Sequence, residues 1–213
     1  MSHDISFHGK RVCFIGAHPD DIELGAGALM AHITSLAEVF CITLSDNQKN
    51  PALSNLIPEQ KRSLSLLGVD EKHIHIGKFE TRRFPLARQE ILEHLIDFNK
   101  KHQPDIVFTH TKSDLHQDHV VVTEEVLRAF RGTTVLGFDV IRSSHGFFPT
   151  FFMEVGEEDV KKKIAALAEY KTYADKYYFN PDVTRATLLR HGALVERKYA
   201  EAFDISRIVG SFD

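Results

Sequence analysis

Short apolar runs alternate with longer segments of helical periodicity along most of the chain. Runs of strand length are Arg11–Gly16, Glu38–Leu44, His73–Ile76, Ile106–Thr109 and Thr134–Phe138. Helices are predicted over Leu24–Ser35, Pro58–Leu67, Pro85–Lys101 and Val120–Phe130. Strands that alternate with helices of this length are typical of βαβ units. The pattern therefore predicts an α/β protein whose mostly parallel sheet carries helices on both faces.

The regular alternation of strands and helices changes near residue 147. A strand is predicted over Phe151–Val155 and helices over Glu157–Tyr170 and Pro181–His191, with an aromatic stretch between the two helices. No linker or low-complexity tract separates this part from the rest. We interpret residues 1–213 as one domain with a C-terminal cap over about residues 147–213, and the aromatic stretch as packing.

Composition excludes several classes of partner. Lys and Arg number 26 against 30 Asp and Glu, so no basic excess attracts a nucleic acid or an anionic membrane. No apolar run reaches the ~18 residues of a membrane span, and Met1–Lys10 lacks an apolar signal core. Cys13 and Cys41 lie in apolar runs and are predicted to be buried and reduced. These features predict a cytoplasmic protein.

The chain contains 13 histidines, and some of them lie beside aspartates in two loops that suggest a function. The loop after the first strand places one imidazole and three carboxylates within six residues: His18, Asp20, Asp21 and Glu23. Ligands of parallel sheets bind at the carboxyl ends of strands, and such crowded carboxylates repel unless a cation lies among them. A divalent metal bound at this strand end explains both the position of the loop and its crowded carboxylates. The alternative is that one aspartate caps the next helix, which leaves the other carboxylate unexplained.

A second polar loop, His110–His119, follows the fourth predicted strand. Asp114, His116 and Asp118 alternate, so an extended segment points their side chains to one side. His119 then lies at a helix start, where it can reach a metal, while His116 faces the substrate with Asp118 orienting its ring. The alternative is a polar loop in which Asp118 only caps the helix.

Together the loops predict metal-assisted hydrolysis of an amide or ester. A metal with three protein ligands keeps a place for water and lowers the pKa of that water to about 7. A carboxylate that does not ligate the metal accepts the proton, and a spare histidine stabilises the oxyanion or protonates the leaving amine. The spacing alone does not say which aspartate is the base.

The same residues resemble the LmbE/PIG-L-type zinc deacetylases. His18–Gly25 (HPDDIELG) matches the HPDDxExG signature of that family, and His116–His119 (HQDH) matches its HxDH motif. Glu59 with Leu67–Val69 and the AEAF element in Tyr199–Phe203 are similar to further family elements. The resemblance implies a Rossmann-like fold and removal of an N-acetyl group from an amino sugar of the N-acetylglucosamine type.

The resemblance also implies a role for each matching residue. His18, Asp21 and His119 ligate zinc, Asp20 is the general base, and His116 stabilises the tetrahedral intermediate and acts as an acid, with Asp118 behind it. Fe²⁺ is the alternative metal, because it accepts the same ligands.

The chain departs from the family where substrates bind. Many members carry an arginine shortly before the family's glutamate, but residues 55–58 contain none. Arg82 or Arg83 is a candidate replacement. In the C-terminal element Arg190, His191 and a glycine stand where an Arg-Gly pair is expected. These four residues are the candidate substrate-binding residues.

The expected partner is a small-molecule amino sugar, and a homo-oligomer is left open. Two alternatives also remain open: a metal-dependent hydrolase of another ester or phosphoester, and a non-catalytic member that binds sugar only.

Overall fold

The computed structural model describes residues 6–47 and 49–210, so the first half of the Met1–Lys10 segment considered above lies outside the described residues. The strands are β1 Arg11–Gly16, β2 Glu38–Thr43, β3 Ile74–Ile76, β4 Ile106–His110, β5 Thr134–Phe138, β6 Phe151–Glu154 and β7 Ala200–Arg207. The helices are α1 Asp21–Ile33, α2 Leu56–Leu66, α3 Arg88–His102, α4 Gln117–Ala129, α5 Glu157–Leu167 and α6 Pro181–Leu194. Among the described residues, none of these helices has the length and apolarity needed to cross a bilayer.

The strands form one seven-stranded sheet in the order β3-β2-β1-β4-β5-β7-β6. The pairs among β3, β2, β1, β4 and β5 are parallel. β7 runs antiparallel to β5 and to β6. The predicted α/β fold with a mostly parallel, Rossmann-like sheet is confirmed. The chain reverses its direction of winding between β1 and β4, so the loops that follow these two strands share one crevice.

Alternation along the strands gives the sheet two buried faces. Val12 and Phe14 pack with α1, α2 and α5, whereas Cys13 and Ile15 pack with α3 and α4. This two-residue period directs successive side chains to opposite faces. The helices therefore cover both faces, as predicted, and Cys13 is a free, buried cysteine, as is Cys41 on the first face.

Several elements differ from the sequence prediction. α2 begins at Leu56 rather than Pro58, and α3 begins at Arg88 rather than Pro85, because Phe84–Leu86 forms a separate 3-10 turn. The hydrophobic pattern does not predict β7, because its alternating Ala, Glu and Asp residues do not resemble a strand; it joins the cap to the main sheet. α1 begins at Asp21 rather than Leu24, because the acidic loop itself makes the first turn. α4 begins at Gln117 rather than Val120, and His116 is its N-cap.

α1 is interrupted at Ala26, whose backbone is not helical (φ −142°, ψ 17°). The interruption removes helical partners from nearby backbone groups. Glu201 of β7 accepts hydrogen bonds from the backbone N–H groups of Ala28 (2.9 Å) and Leu29 (2.6 Å). Lys163 of α5 binds the same carboxylate at 2.7 Å. The AEAF glutamate is thus a buried ionic link between β7, α5 and the helix that follows the first loop.

Removing this carboxylate destabilises the fold. We expect Glu201→Ala to lower the free energy of unfolding by about 3–5 kcal/mol, because it leaves a buried ammonium unpaired and two N–H groups without an acceptor. Urea denaturation measures the change. Glu154→Ala is the control, since that glutamate is exposed on β6. A loss below about 1 kcal/mol for Glu201→Ala contradicts this account of the link.

Candidate metal centre

The two polar loops meet at the crevice between β1 and β4. His18 and Asp21 come from the first loop and His119 from the first turn of α4, and all three are at most 8% exposed. His18 Nδ1 lies 3.2 Å from His119 Nε2 and 3.5 Å from Asp21 Oδ2, and His119 Nε2 lies 3.4 Å from Asp21 Oδ2. Ligand atoms around a tetrahedral ion with bonds of about 2.0–2.1 Å lie about 3.3–3.4 Å apart. The three atoms therefore fit one face of such a tetrahedron.

A carboxylate lies behind each of the two histidine rings. It orients the ring so that the lone pair of the opposite ring nitrogen points into this triangle. His18 Nε2 lies 3.0 Å from Asp118 Oδ2, and His119 Nδ1 lies 2.9 Å from Asp114 Oδ2. A carboxylate accepts, so these ring nitrogens carry the protons and the opposite nitrogens are free to ligate. Histidine ligands of metals are usually held in this way.

The position of Asp118 corrects one expectation. Its carboxylate does not stand behind the His116 ring; it binds His18 and accepts hydrogen bonds from the backbone N–H groups of Arg82 (2.6 Å) and Phe84 (3.3 Å). Only its backbone N–H reaches His116, at Nδ1 and 3.1 Å. The carboxylate of Asp118 therefore binds both His18 and the loop that precedes α3.

Two further histidines adjoin the triangle. The ligand atoms of His116, His18 and His119 lie within 4.8 Å of one another. The same holds for those of His110, Asp21 and His119. However, His116 Nδ1 accepts the N–H of Asp118, and His110 Nε2 accepts that of Ala17 at 3.1 Å. In a neutral His116 ring the proton then lies on Nε2, which leaves no lone pair for a metal. The Nε2 lone pair of His110 is engaged by the Ala17 N–H.

Charges in the site depend on one another. Burial alone would lower the pKa of His18, but its hydrogen bonds to Asp118 and Asp21 raise it to about 9. Burial alone would raise the pKa of Asp21, but the charges of His119 and His110 bring it well below its usual value. In the absence of a metal, a proton on His18 therefore balances Asp21. A metal that binds here has to displace that proton.

Asp20 differs from its neighbour. Burial, and then the charge of Asp21, raise the pKa of Asp20 well above its usual range. Its backbone has φ 98° and ψ −30°, a conformation that non-glycine residues rarely adopt, and its side chain makes no capping hydrogen bond to α1. The capping alternative for Asp20 is therefore wrong. The carboxyl group lines the cleft instead.

His116 also lines the cleft and differs from His18 in its charge state. Burial and the neighbouring charges of His119 and His18 lower the pKa of His116 to about 4. The ring is therefore neutral at pH 7, and the tautomer fixed by Asp118 places its proton on Nε2. His116 lines the cleft with Asp20.

The cleft has a volume of about 230 Å³. The histidines and aspartates form one side of it. Tyr173 and Tyr178 of the cap and Arg142 of the β5–β6 loop line it as well, and the Arg142 guanidinium lies 5.7 Å from the centroid of the Tyr178 ring. The aromatic stretch is therefore only partly packing.

Of the four predicted substrate-binding residues, only Arg82 lines this cleft. Arg83 is largely exposed and lies 3.6 Å from Glu80. Arg190 is exposed on α6, and the buried His191 lines a separate small cavity behind Leu24. Within the described part of the chain, Arg83, Arg190 and His191 do not come together with the metal triangle.

Sequence reasoning missed several residues of the site. His110 lies inside the second loop, but its spacing does not mark it. Asp114 belongs to the predicted alternation, but the spacing does not indicate that its carboxylate binds His119. Tyr173 and Tyr178 are visible only as an aromatic stretch. Arg142 lies in a loop without a motif, so nothing in the sequence marks it.

Two features define the class of protein. It has a Rossmann-like sheet, and the crevice at the switch point of that sheet holds a His–Asp cluster that could bind a metal. Comparison with known families then identifies the family: the profile described as PIG-L, GlcNAc-PI de-N-acetylase, matches residues 13–130. The chain is also 32% identical over 173 residues to YaiS of Escherichia coli K12, described as an uncharacterised deacetylase, covering 76% of this chain and 91% of that protein. The chain belongs to this family of hydrolytic N-deacetylases.

Solved structures share the fold. The conserved protein TT1542 from Thermus thermophilus superposes with a TM-score of 0.78 at 19% identity, covering 95% of this chain and 97% of that one. The N,N'-diacetylchitobiose deacetylase from Pyrococcus horikoshii gives a TM-score of 0.73 at 18% identity, covering 92% and 83%. At these identities the likeness shows the fold.

The carboxylates that fix the histidine tautomers should control metal affinity. We expect Asp114→Asn to weaken zinc binding about 10–100-fold, because His119 loses the carboxylate that fixes its ring and proton. His116→Ala changes zinc affinity by less than about threefold, since His116 has no free lone pair for the ion. Competition with a chromophoric chelator measures both. Zinc loss in His116→Ala with full binding in Asp114→Asn contradicts the assignment.

Proposed function

We propose that this protein is a zinc-dependent N-deacetylase that removes the acetyl group from an amino-sugar compound of the N-acetylglucosamine type. His18, Asp21 and His119 hold the zinc, with Fe²⁺ as the alternative ion. Asp20 is the general base and His116 the oxyanion donor. The observation that carries the proposal is the triangle of His18 Nδ1, Asp21 Oδ2 and His119 Nε2, whose sides of 3.2–3.5 Å match a tetrahedral metal.

When bound, a divalent metal at this triangle makes a water molecule acidic and polarises the amide carbonyl. Asp20 takes one proton from the water that attacks the carbonyl carbon. The carboxyl group that has taken this proton then passes it to the amide nitrogen. The C–N bond then breaks, and acetate and a free amine leave.

His116 stabilises the negative charge that forms on the carbonyl oxygen. Its Nε2–H is fixed by the Asp118 backbone N–H on the other nitrogen, so the donor is oriented before substrate binds. Because the pKa of His116 is lowered to about 4, it acts at pH 7 as a neutral hydrogen-bond donor. This refines the expectation that His116 is also the acid: Asp20 is the better carrier of the proton.

The alternatives fit the site less well. A two-metal phosphoesterase needs carboxylates that bridge two ions about 3.5–4 Å apart. Here Asp114 and Asp118 are both engaged behind histidines, on the far side from the triangle. A protein that only binds sugar needs neither a strained, buried Asp20 in the cleft nor a pre-oriented His116.

Asp20 provides the sharpest test of the chemistry. We expect Asp20→Asn to bind zinc as the wild type does but to lose at least about 100-fold in kcat, because the attacking water has no base. Acetate release from a panel of N-acetylated amino sugars, with zinc content measured in parallel, reads both properties. The panel includes nucleotide-linked, lipid-linked and thiol-precursor sugars.

Asp97→Asn is the matched control, since Asp97 is 77% exposed and its ion pair with Lys100 lies on the surface of α3. Normal turnover by Asp20→Asn overturns the base assignment. No acetate release from any sugar by the zinc-loaded wild type overturns the proposed function.

A further inference from the structure

Two glutamates of the sequence motifs have no part in the chemistry above, although both are buried. Glu23 lies in the first turn of α1 and is fully buried, and Glu59 of α2 is 3% exposed. Both carboxylates bind the cap segment, defined as Tyr170–Phe179. That segment carries two of the tyrosines that line the cleft.

Glu59 holds the start of the cap segment. Its Oε1 accepts hydrogen bonds from the backbone N–H and from the side-chain hydroxyl of Thr172, both at 3.1 Å, and its Oε2 lies 3.3 Å from the same N–H. Residue 172 is 113 positions away in the chain, so these bonds fix a long-range contact between α2 and the cap. Charge-assisted bonds of this kind are stronger than neutral ones.

Glu23 holds a residue at the very start of the same segment. The Tyr170 hydroxyl donates to Glu23 Oε1 at 2.6 Å, and Tyr170 is 1% exposed. Glu23 lies two residues after Asp21 on α1. The same short helix turn therefore supplies a corner of the metal triangle and an anchor of the cap.

Phe179 connects the anchors to the cleft. Its ring centroid lies 5.5 Å from Tyr170, 5.5 Å from Tyr173 and 5.1 Å from Tyr178. Leu56, at the start of α2, belongs to the same apolar cluster. Tyr170 and the two tyrosines that line the cleft, Tyr173 and Tyr178, therefore belong to one group of rings packed around Phe179.

We infer that Glu59, together with Glu23, is a positioning residue for substrate recognition: it holds the cap segment so that Tyr173 and Tyr178 form a fixed wall for the sugar opposite the histidines. The inference rests on the proposed function. Neither carboxylate touches the metal triangle or His116, so loosening the wall weakens sugar binding while the reacting groups stay in place. The effect falls on KM rather than on kcat.

Glu59 is the better residue to test, because it is not part of the metal loop. We expect Glu59→Ala to raise KM for the N-acetyl sugar about tenfold, with kcat and the zinc Kd within about twofold of wild type. Glu59→Gln keeps an oxygen that accepts from Thr172 and recovers most of the loss. Glu158→Ala is the matched control, because Glu158 is 78% exposed on α5.

A second readout follows the cap itself and needs no substrate. The chain contains no tryptophan, so Tyr177→Trp places a single fluorophore beside Tyr178 at a position that is 80% exposed. In this background, Glu59→Ala lowers the fluorescence anisotropy of the tryptophan and raises its quenching by acrylamide. Glu158→Ala leaves both unchanged.

The outcomes separate the inference from the proposed function. If a folded Glu59→Ala protein has unchanged KM and unchanged anisotropy, the inference is overturned. It is also overturned if kcat, zinc content and thermal stability fall while KM stays unchanged, because that result indicates a structural role only. If the wild type releases no acetate, the proposed function fails, and the anisotropy still shows whether Glu59 orders the cap segment.

Discussion

The site depends on two buried hydrogen bonds from histidine to carboxylate. Asp118 holds His18 at 3.0 Å and Asp114 holds His119 at 2.9 Å. Each bond fixes which nitrogen carries the proton and which lone pair faces Asp21. Without these carboxylates the two rings could rotate or change tautomer, and the triangle would no longer match a tetrahedral ion. Both aspartates belong to the second loop, so this one loop orients a histidine of each loop.

The topology of the sheet brings the two loops together. β1 and β4 are adjacent strands at the switch point of the sheet, so two loops 100 residues apart in sequence end at one crevice. The interruption of α1 at Ala26 lies just behind the first loop, and Glu201 of β7 satisfies the N–H groups there. The cap is thereby tied to the helix that begins with Asp21. The cap, the first loop and the sheet edge therefore share anchors.

The parts of the molecule with a local signature are predictable from the sequence. Period-two and helical patterns indicate the parallel sheet, and the two motifs indicate His18, Asp21 and His119. The rest depends on three-dimensional neighbours. The spacing places Asp118 behind His116, yet it binds His18, a residue 100 positions away. β7 escapes prediction because its buried glutamate is paired only in the folded protein. Arg142 reaches the cleft from a loop whose residues carry no pattern.

The geometry of a bound ion decides whether the two hydrogen-bonded histidines are its ligands. Anomalous diffraction at the zinc edge from crystals of the zinc-loaded protein locates the ion and its ligands. We expect one ion bound to His18 Nδ1, Asp21 Oδ2 and His119 Nε2 at about 2.0–2.2 Å, with Asp118 and Asp114 still behind the two rings. An ion ligated by His116 or His110, or two ions about 3.5–4 Å apart, would contradict it.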